Sequence, residues 1–289
     1  MAISASDVKA LREATGAGMM DCKKALTEAE GDSEKALEVL RERGLAKAGK
    51  RAGRATSEGA IAISTSGAVA AIVDLGCETD FVAKTDTFQD LAREIADAVA
   101  ADASVEGPEQ ALAAKLATGS VEDRVTATAS TVGENVQVKR AARLAVESGI
   151  SGGYVHAGGK LGVIVGLSCE AAGAELDALA KDIAMHVAAI DPTPLAVDRD
   201  SLSQDVVNKE REFLKKQALD SGKPEAIVDK MVDGRMNKYY QEYCLIEQPF
   251  VKDPDRTVKR LLEEVGGELG ADVTLAGFVR FKVGEGDSE

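Results

Sequence analysis

The stretch Val69-Ala-Ala-Ile-Val-Asp-Leu75, followed by Cys77-Glu78, decides the fold because it occurs twice. The second copy reads Leu161-Gly-Val-Ile-Val-Gly-Leu167, and Cys169-Glu170 follows it at a shift of 92 residues. Apolar, β-branched runs of this length are typical of buried strands. A repeat of the whole segment indicates two structural units of the same kind.

The residues around each copy predict a small sheet with a helix on it. Ala60 to Ser64 and a polar turn at 65–67 precede the first copy, which is the pattern of a β-hairpin. A helix is expected at about Thr87 to Ala101, because its apolar residues recur at three- and four-residue intervals. A final strand, Thr274 to Val283, is expected to complete the second sheet. The sequence therefore predicts an α+β fold with two repeated antiparallel-sheet and helix subdomains.

The two copies differ in length at one place. Leu91-Ala-Arg-Glu-Ile-Ala96 matches Leu179-Ala-Lys-Asp-Ile-Ala184 at a shift of only 88, so the first copy has gained four residues after Cys77. An insertion between a strand and a helix projects outward and costs little stability, so it is a usual place to attach function. We therefore expect the loop Thr79–Val82 to act on a partner.

Phe81 is the unusual residue of this loop. Aromatic residues make up only 3% of the chain, and a bulky ring on an inserted loop has two interpretations. It either returns to the core or anchors a partner protein.

Composition excludes several classes of function. The net charge of −14 disfavours broad binding to nucleic acid. The apolar runs are far shorter than the roughly 20 residues that cross a bilayer, and the first residues lack the features of a secretory signal. We therefore expect a cytoplasmic protein with no membrane and no direct nucleic-acid partner.

The sequence contains no coherent catalytic or metal motif. The four widely spaced cysteines form no C-x-x-C pair, so buried thiols are expected, and two histidines are too few for a metal cluster. Gly44 to Lys50 resembles a phosphate loop in spacing, but Arg51 stands where serine or threonine is required. We expect no catalytic residues, no metal and no cofactor, although a hidden pair of catalytic carboxylates stays an alternative.

The first 45 residues predict three short helices. Ser6 is expected to cap the first and Asp32 the third, and Gly44 is expected to end the third. The basic segment that follows, Lys47 to Arg54, fits a solvated linker, with a basic contact patch as the alternative.

Three further helical regions are predicted. Pro108 to Ala117 and Val136 to Ser148 are each expected to form a helix. Two longer helices on either side of Ser221-Gly-Lys-Pro224 are expected to form an antiparallel hairpin. That hairpin either protrudes and uses its apolar face in assembly or lies flat on its own domain.

The predicted divisions are a three-helix N-terminal domain (1–45), a basic linker (46–58), a first core subdomain (59–148), a second core subdomain (149–200 and 245–284), a helical hairpin (201–244) and a polar tail (285–289).

Three motifs resemble those of the bacterial translation elongation factor Ts family. The first is Cys77-Glu-Thr-Asp-Phe-Val-Ala-Lys84, and the second is Thr15-Gly-Ala-Gly-Met-Met-Asp-Cys-Lys-Lys-Ala-Leu26. The third is Ser221-Gly-Lys-Pro224, with Gln248-Pro-Phe-Val251 and Gly277-Phe-Val-Arg-Phe281 behind it.

The resemblance implies a guanine-nucleotide exchange factor for the GTPase elongation factor Tu, with no active site of its own. It implies that the N-terminal bundle is ubiquitin-associated-like and that the hairpin is a coiled-coil or dimerisation module. Asp80 and Phe81, with Thr79 and Val82 beside them, would disturb the partner's magnesium and phosphate site and so release GDP.

Other contacts and one difference also follow from the resemblance. It implies additional partner contacts at Arg12, Met19, Met20 and His156. Many members continue beyond the equivalent of Gly286 into a further helix, so we expect the bundle and the core to contribute more of the binding here. A ubiquitin-like-chain adaptor stays an alternative suggested by the bundle alone.

Overall fold

The structure, a computed structural model, describes residues 3–15, 17–51, 53–171, 173–221 and 224–286. The side chains at 45–50 and 225–226 lie outside this description. The predicted contacts of Lys47 and Lys50, the turn residues Gly222 and Lys223, and tail residues 287–289 therefore lie outside it as well.

The N-terminal bundle consists of three helices, α1 (Ala5–Thr15), α2 (Met19–Glu28) and α3 (Ser33–Arg51). Its core contains the fully buried side chains of Cys22, Ala25, Leu26 and Ala36. So few apolar residues bury too little surface to hold an independent domain with much stability.

The predicted N-cap of α3 is correct, whereas the predicted N-cap of α1 is not. Asp32 caps α3 as predicted, because its Oδ1 accepts the backbone N–H of Glu34 at 3.0 Å. The predicted cap Ser6 is wrong, and Ser4 has that role. Its Oγ accepts the backbone N–H of Asp7 at 3.2 Å, while the Asp7 carboxylate accepts the Ser4 N–H at 3.1 Å. This reciprocal pair is a capping box.

The first core subdomain is a three-stranded antiparallel sheet covered by helices. Its strands are β1 (Glu58–Ser66), β2 (Val69–Cys77) and β5 (Val136–Ala145), in the order β1-β2-β5. Between β2 and β5 the chain forms α4 (Asp80–Ala83), α5 (Asp86–Ala101), α6 (Pro108–Ala113), the small strands β3 (Lys115–Leu116) and β4 (Gly119–Ser120), and α7 (Val121–Val132). The predicted helix after Pro108 is therefore shorter than expected, and α7 was not predicted.

The predicted helix at Val136–Ser148 is wrong, because most of this segment is strand β5. A bulge produced the misleading pattern. Asp74 pairs with Arg140 whereas Leu75 pairs with Val138, so one residue of β5 has no counterpart on β2. The bulge changes the spacing of buried positions from two residues to three, which imitates a helix.

The predicted end of α3 at Gly44 is also wrong, since the helix continues to Arg51. Gly44 lies against α7 instead, where an added Cβ would be 3.2 Å from Ser130 Oγ and 3.5 Å from Thr126 Cγ2. Farther along, Arg51 Nη1 donates to the carbonyl of Ala129 at 2.9 Å. The glycine therefore serves close helix packing, and α3 connects the bundle to the core.

The second core subdomain repeats this plan. Its sheet has the order β6-β7-β10, from β6 (Gly149–Val155), β7 (Leu161–Ser168) and β10 (Thr274–Lys282). Helix α8 (Ala174–Ala189) covers the sheet as α5 does in the first copy. The later connection carries α9 (Gln204–Asp220), α10 (Glu225–Tyr243), β8 (Pro249–Phe250), β9 (Asp253–Thr257) and α11 (Val258–Leu269). The predicted α+β class and final strand are confirmed.

The two sheets pack face to face. Ile61 and Ile72 of the first sheet and Ile164 of the second are buried together. The sheets approach closely at Gly162, where an added Cβ would lie 2.5 Å from Ile61 Cγ2. The helices therefore lie on the two outer faces.

An ion pair of the first subdomain also contacts the second. Asp74 is 2% exposed, and its Oδ2 accepts Arg140 Nη2 at 2.7 Å. The same guanidinium donates to the Lys282 carbonyl at 2.6 Å and lies 4.6 Å from the centre of the Phe281 ring. The Arg140 guanidinium therefore bridges the buried Asp74 carboxylate of the first sheet and the end of β10 in the second.

The helical hairpin α9–α10 has a core of its own. The buried residues of this cluster are Ala196, Leu202, Val207, Leu214, Ala218, Val228, Val232, Met236 and Cys244. Within the described residues, none of them belongs to either sheet or to α8 or α11. The hairpin is therefore a self-contained module, which favours the protruding alternative over the flat one.

Candidate functional site

The four inserted residues form a helical turn directly after β2. Thr79 is the N-cap of α4, and its side chain accepts the backbone N–H of Val82 at 3.4 Å. A second threonine, Thr85, caps the following helix α5. Two caps six residues apart explain why the chain forms a separate turn before α5 begins.

Neighbouring side chains of this turn point in opposite directions. Val82 packs against the first hydrophobic core and Ala83 is buried in it. Phe81 is 80% exposed. The alternative that Phe81 returns to the core is therefore wrong, and the ring is available to a partner.

Asp80 presents a charge beside the ring. Lys84 Nζ donates to Asp80 Oδ2 at 2.7 Å, one helical turn away. This hydrogen bond is the main reason why the pKa of Asp80 lies below its ordinary value. Asp80 is therefore ionised at neutral pH, so the turn offers an anionic group next to an exposed aromatic group.

The base of the turn is held by Glu134, a residue that the sequence analysis did not identify. Its carboxylate accepts the backbone N–H groups of Glu78 and Thr79 at 3.1 and 3.0 Å and the Thr79 hydroxyl at 2.6 Å. Cys77 Sγ adds a contact of 3.2 Å to the Thr79 carbonyl. Glu134 follows the unpredicted helix α7, so no local pattern pointed to it.

The turn that contains His156 lies at the same edge of the core. Its Gly159 carbonyl accepts the Ile61 N–H of β1 at 2.7 Å, and Lys160 Nζ donates to Glu58 at 2.6 Å. Lys160 also acts electrostatically on Asp80. His156 is exposed, and the Tyr154 hydroxyl lies 3.1 Å from its Nδ1. The structure thus places the loop that carries His156 at the same edge as the inserted turn.

Arg12, Met19 and Met20 are each exposed on the bundle. Met19 and Met20 are 60% and 61% exposed at the start of α2, and Arg12 is exposed on α1. The bundle is tied to the core by the ion pair between Arg41 and Asp123 and through α3. The bundle that carries these side chains is therefore attached to the core through α3 and α7.

The cysteine thiols of the core are buried. All four cysteines are buried and unpaired, and burial raises the pKa of Cys77 to about 12 and that of Cys244 to about 11. Within the described ranges, no group of three His, Cys, Asp or Glu side chains could hold a metal ion. The segment 44–50 lies inside the continuous helix α3, which a phosphate loop cannot adopt. None of the helices in the described part of the chain is both long and apolar enough to span a bilayer.

Comparison with known proteins gives one consistent result. The family model described as Elongation factor TS matches residues 78–285, which is more than half of the chain. Elongation factor Ts of Clostridium botulinum (strain 657 / Type Ba4) is 48% identical over 289 residues, covering 98% of this chain and 93% of the relative.

Two further relatives agree. Elongation factor Ts of Clostridium novyi (strain NT) is 47% identical over 289 residues, and that of Clostridium perfringens (strain SM101 / Type A) is 47% identical over 287 residues. Each alignment covers 98% of this chain and 94% of the relative. The chain therefore belongs to the elongation factor Ts family, whose members are translation elongation factors of protein biosynthesis.

Proposed function

We propose that this chain is a guanine-nucleotide exchange factor that binds elongation factor Tu in its GDP form and promotes release of GDP. The Asp80–Phe81 turn inserts next to the partner's magnesium and phosphate site and disturbs it. The observation that carries the proposal is the 80% exposure of Phe81 on a turn whose Val82 and Ala83 side chains are anchored in the core.

The physical chemistry of the turn supports this role. A large apolar ring held in water is unfavourable until a partner covers it, and burying Phe81 contributes about 1.5 to 3 kcal/mol. That value is comparable to a typical coupling energy between two binding sites, about 1 to 3 kcal/mol. The neighbouring Asp80 carboxylate adds a negative charge, which competes with phosphate oxygens for a cation.

Phe81 alone would accelerate release only modestly, so other surfaces contribute binding energy. The His156 turn at the same edge and the bundle residues Arg12, Met19 and Met20 are the proposed contacts. Their energy assists release if it is available only when the partner has rearranged. By reciprocity, bound nucleotide weakens the affinity of the partner for this chain by the same ratio, so incoming GTP displaces the chain.

In this proposal the chain performs no chemical step of its own. Its contribution is to favour the partner state in which GDP is weakly held, which requires only differential binding. No group of this chain has to donate or accept a proton or to form a covalent bond. The buried, weakly acidic thiols of the core agree with that role.

The helical hairpin is proposed to mediate homodimerisation. It carries four exposed apolar side chains, Val206, Phe213, Leu219 and Ile227. Such groups on a self-contained module are typical of an assembly surface. Light scattering of the free chain at several concentrations tests this, and a mass that stays monomeric would contradict it.

Nucleotide release from elongation factor Tu tests the main proposal. The partner is loaded with a fluorescent GDP analogue, and release is followed with and without this chain. We expect faster release with the parent chain. The Phe81→Ala variant should be about 10- to 150-fold slower, because it loses the burial energy of the ring.

Leu195→Ala is the matched control, because Leu195 is also an exposed apolar residue, at 56%. It should release GDP at the parent rate. A parent chain that leaves the rate unchanged would contradict the exchange function, whereas a fully active Phe81→Ala variant would contradict only the role of the turn.

A further inference from the structure

Glu134 and the inserted turn are far apart in sequence but joined in space. Glu134 lies 55 residues from Thr79, in the loop between α7 and β5. One oxygen of its carboxylate accepts two successive backbone N–H groups, and the other accepts the Thr79 hydroxyl. One half-buried side chain thus satisfies three donors at the base of the turn.

The contact is reciprocal. The Glu78 carboxylate accepts the backbone N–H of Asn135 at 2.7 Å and Arg54 Nη1 at 3.2 Å. The Asn135 side chain, in turn, donates to the Arg54 carbonyl at 2.9 Å. In each of the two loops, a carboxylate therefore accepts backbone N–H donation from the other loop. Neither loop can move without breaking several charge-assisted hydrogen bonds.

The hydrogen bonds continue into the turn itself. Val82 N–H donates to Thr79 Oγ1, and the Thr79 hydroxyl donates its own hydrogen to Glu134. The carboxylate thereby makes the hydroxyl oxygen a better acceptor for the cap. Because four residues are too few to form a stable helical turn alone, α4 depends on this external support.

The second copy of the fold provides an internal comparison. Helices α7 and α11 both end at a glycine in the left-handed region, Gly133 (φ 80°) and Gly270 (φ 66°). Counting one residue onward, Glu134 corresponds to Ala271. The copy that lacks the inserted turn thus carries no carboxylate at the matching place.

We propose that Glu134 is a positioning residue that holds the Thr79–Val82 turn in an ordered form, so that Phe81 meets the partner already presented for insertion. This inference rests on the proposed exchange function. Without Glu134 the turn must be ordered during insertion, which raises the barrier to release. The bundle and the His156 turn still bind, so the maximal rate falls while the half-saturating concentration changes little.

The first experiment uses the free chain and needs no partner. Backbone hydrogen exchange is measured at Glu78 and Thr79 in Glu134→Ala and Glu134→Gln. We expect exchange to be roughly 10- to 100-fold faster in Glu134→Ala. Glu134→Gln should show a smaller increase, because its oxygen can still accept both N–H groups. Glu147→Gln, an exposed carboxylate in the turn between β5 and β6, should match the parent.

The second experiment measures GDP release from elongation factor Tu over a range of factor concentrations. Glu134→Ala should lower the maximal rate about tenfold or more, with an almost unchanged half-saturating concentration. Thr79→Ser keeps the hydroxyl and should retain most of the rate, whereas Thr79→Val should be slow. Combining Thr79→Val with Glu134→Ala should cost less than the sum of the two, since both remove the same contact.

The outcomes separate the two proposals. If Glu134→Ala loosens the amides but keeps the parent's maximal rate while Phe81→Ala is slow, the positioning role is overturned and the exchange function stands. If hydrogen exchange at Glu78 and Thr79 stays at the parent level in both Glu134 variants, the positioning role is also overturned. If Phe81→Ala is fully active, the role of the turn fails and the inference fails with it.

Discussion

The two strand-to-helix junctions of the repeated core have the same neighbours but different contents. In the first, Cys77-Glu78 at the end of β2 leads into α4 and then α5; in the second, Cys169-Glu170 leads into α8, and the described residues between them form no further helix. The second junction is closed by hydrogen bonds to Ser148, which lies 21 residues from Cys169: Cys169 N–H donates to the Ser148 carbonyl at 3.1 Å, and Ser148 Oγ donates to the Cys169 carbonyl. The first is closed by Glu134 from a distant loop.

This difference separates the shared core packing from the exposed surface. Both sheets bury the same kind of core, and both carry a covering helix in the same place. Only one junction exposes a large aromatic ring. A fold built from two copies can therefore keep its packing in both and change one connection, which is where added residues disturb the core least.

Converting the first junction into the second should have the largest effect. Deleting 79–82 joins Glu78 to Ala83, which reproduces Glu170-Ala171 of the second copy, and Glu134→Ala reproduces Ala271. We expect this variant to fold and to release GDP from elongation factor Tu no faster than the spontaneous rate. Fluorescent GDP release and a thermal unfolding curve are the measurements.

The control for this conversion is Glu134→Ala alone, which should stay folded and keep part of its activity. Exchange at the parent rate after the deletion would show that the added residues are not the functional difference between the two copies. A variant that fails to fold would show that the two junctions are not structurally equivalent.

The repeat made most of the core predictable, and the bulge in β5 explains where prediction failed. Most strands of both copies, α5 and the hairpin follow from periodicity, but the same pattern wrongly predicts a helix at β5. Its bulge lies between Val138 and Arg140, and β10 has the same irregularity between Leu275 and Gly277. The sequence still predicts β10 as a strand, because its aromatic and β-branched residues outweigh the broken alternation.

The site was predictable only in part, for a related reason. Phe81 is identified by comparing the two copies of the repeat within the chain. Glu134, which supports the turn, lies in a segment without clear periodicity. Its contact with Thr79 depends on how α7 packs, and packing is not encoded in local spacing. The continuation of α3 past Gly44 was missed for the same reason, since the glycine's role comes from its contact with α7.

The contact between the two sheets gives the next prediction. Gly162→Ala places a methyl group 2.5 Å from Ile61 Cγ2, and overpacking of this kind costs about 1 to 3 kcal/mol of unfolding free energy. Denaturant unfolding measures the loss. We expect both copies to unfold together, because the strained contact belongs to both sheets.

Gly234→Ala is the matched control for that substitution. Gly234 lies inside α10, with no atom within 4 Å of an added Cβ. Replacing a glycine in the interior of a helix should stabilise it by about 0.5 to 1 kcal/mol. If Gly162→Ala were equally harmless, the face-to-face approach of the sheets would be looser than the structure indicates.

The smallest expected effect concerns pH. It distinguishes α8 from α5, the helices that cover the two sheets. His186 of α8 occupies the place of Ala98 in α5 and is fully buried. Its Nδ1 accepts the Val251 N–H at 3.1 Å, so its Nε2 carries the proton that is donated to Gln248 Oε1 at 3.1 Å. Burial lowers the pKa of His186, and the neutral ring is the form that fits.

The sign of the pH effect follows from these contacts. As the pH falls below about 6.5, the unfolded chain binds a proton at this histidine before the folded chain does. The stabilisation is therefore complete above that pH and is lost as the pH falls through the folded-state pKa. We expect the denaturant concentration at the unfolding midpoint of the parent to decrease as the pH is lowered from about 7.5 to about 5.5. The His186→Gln variant should show a smaller decrease. A parent-like slope in His186→Gln would show that the acid sensitivity arises from groups other than His186.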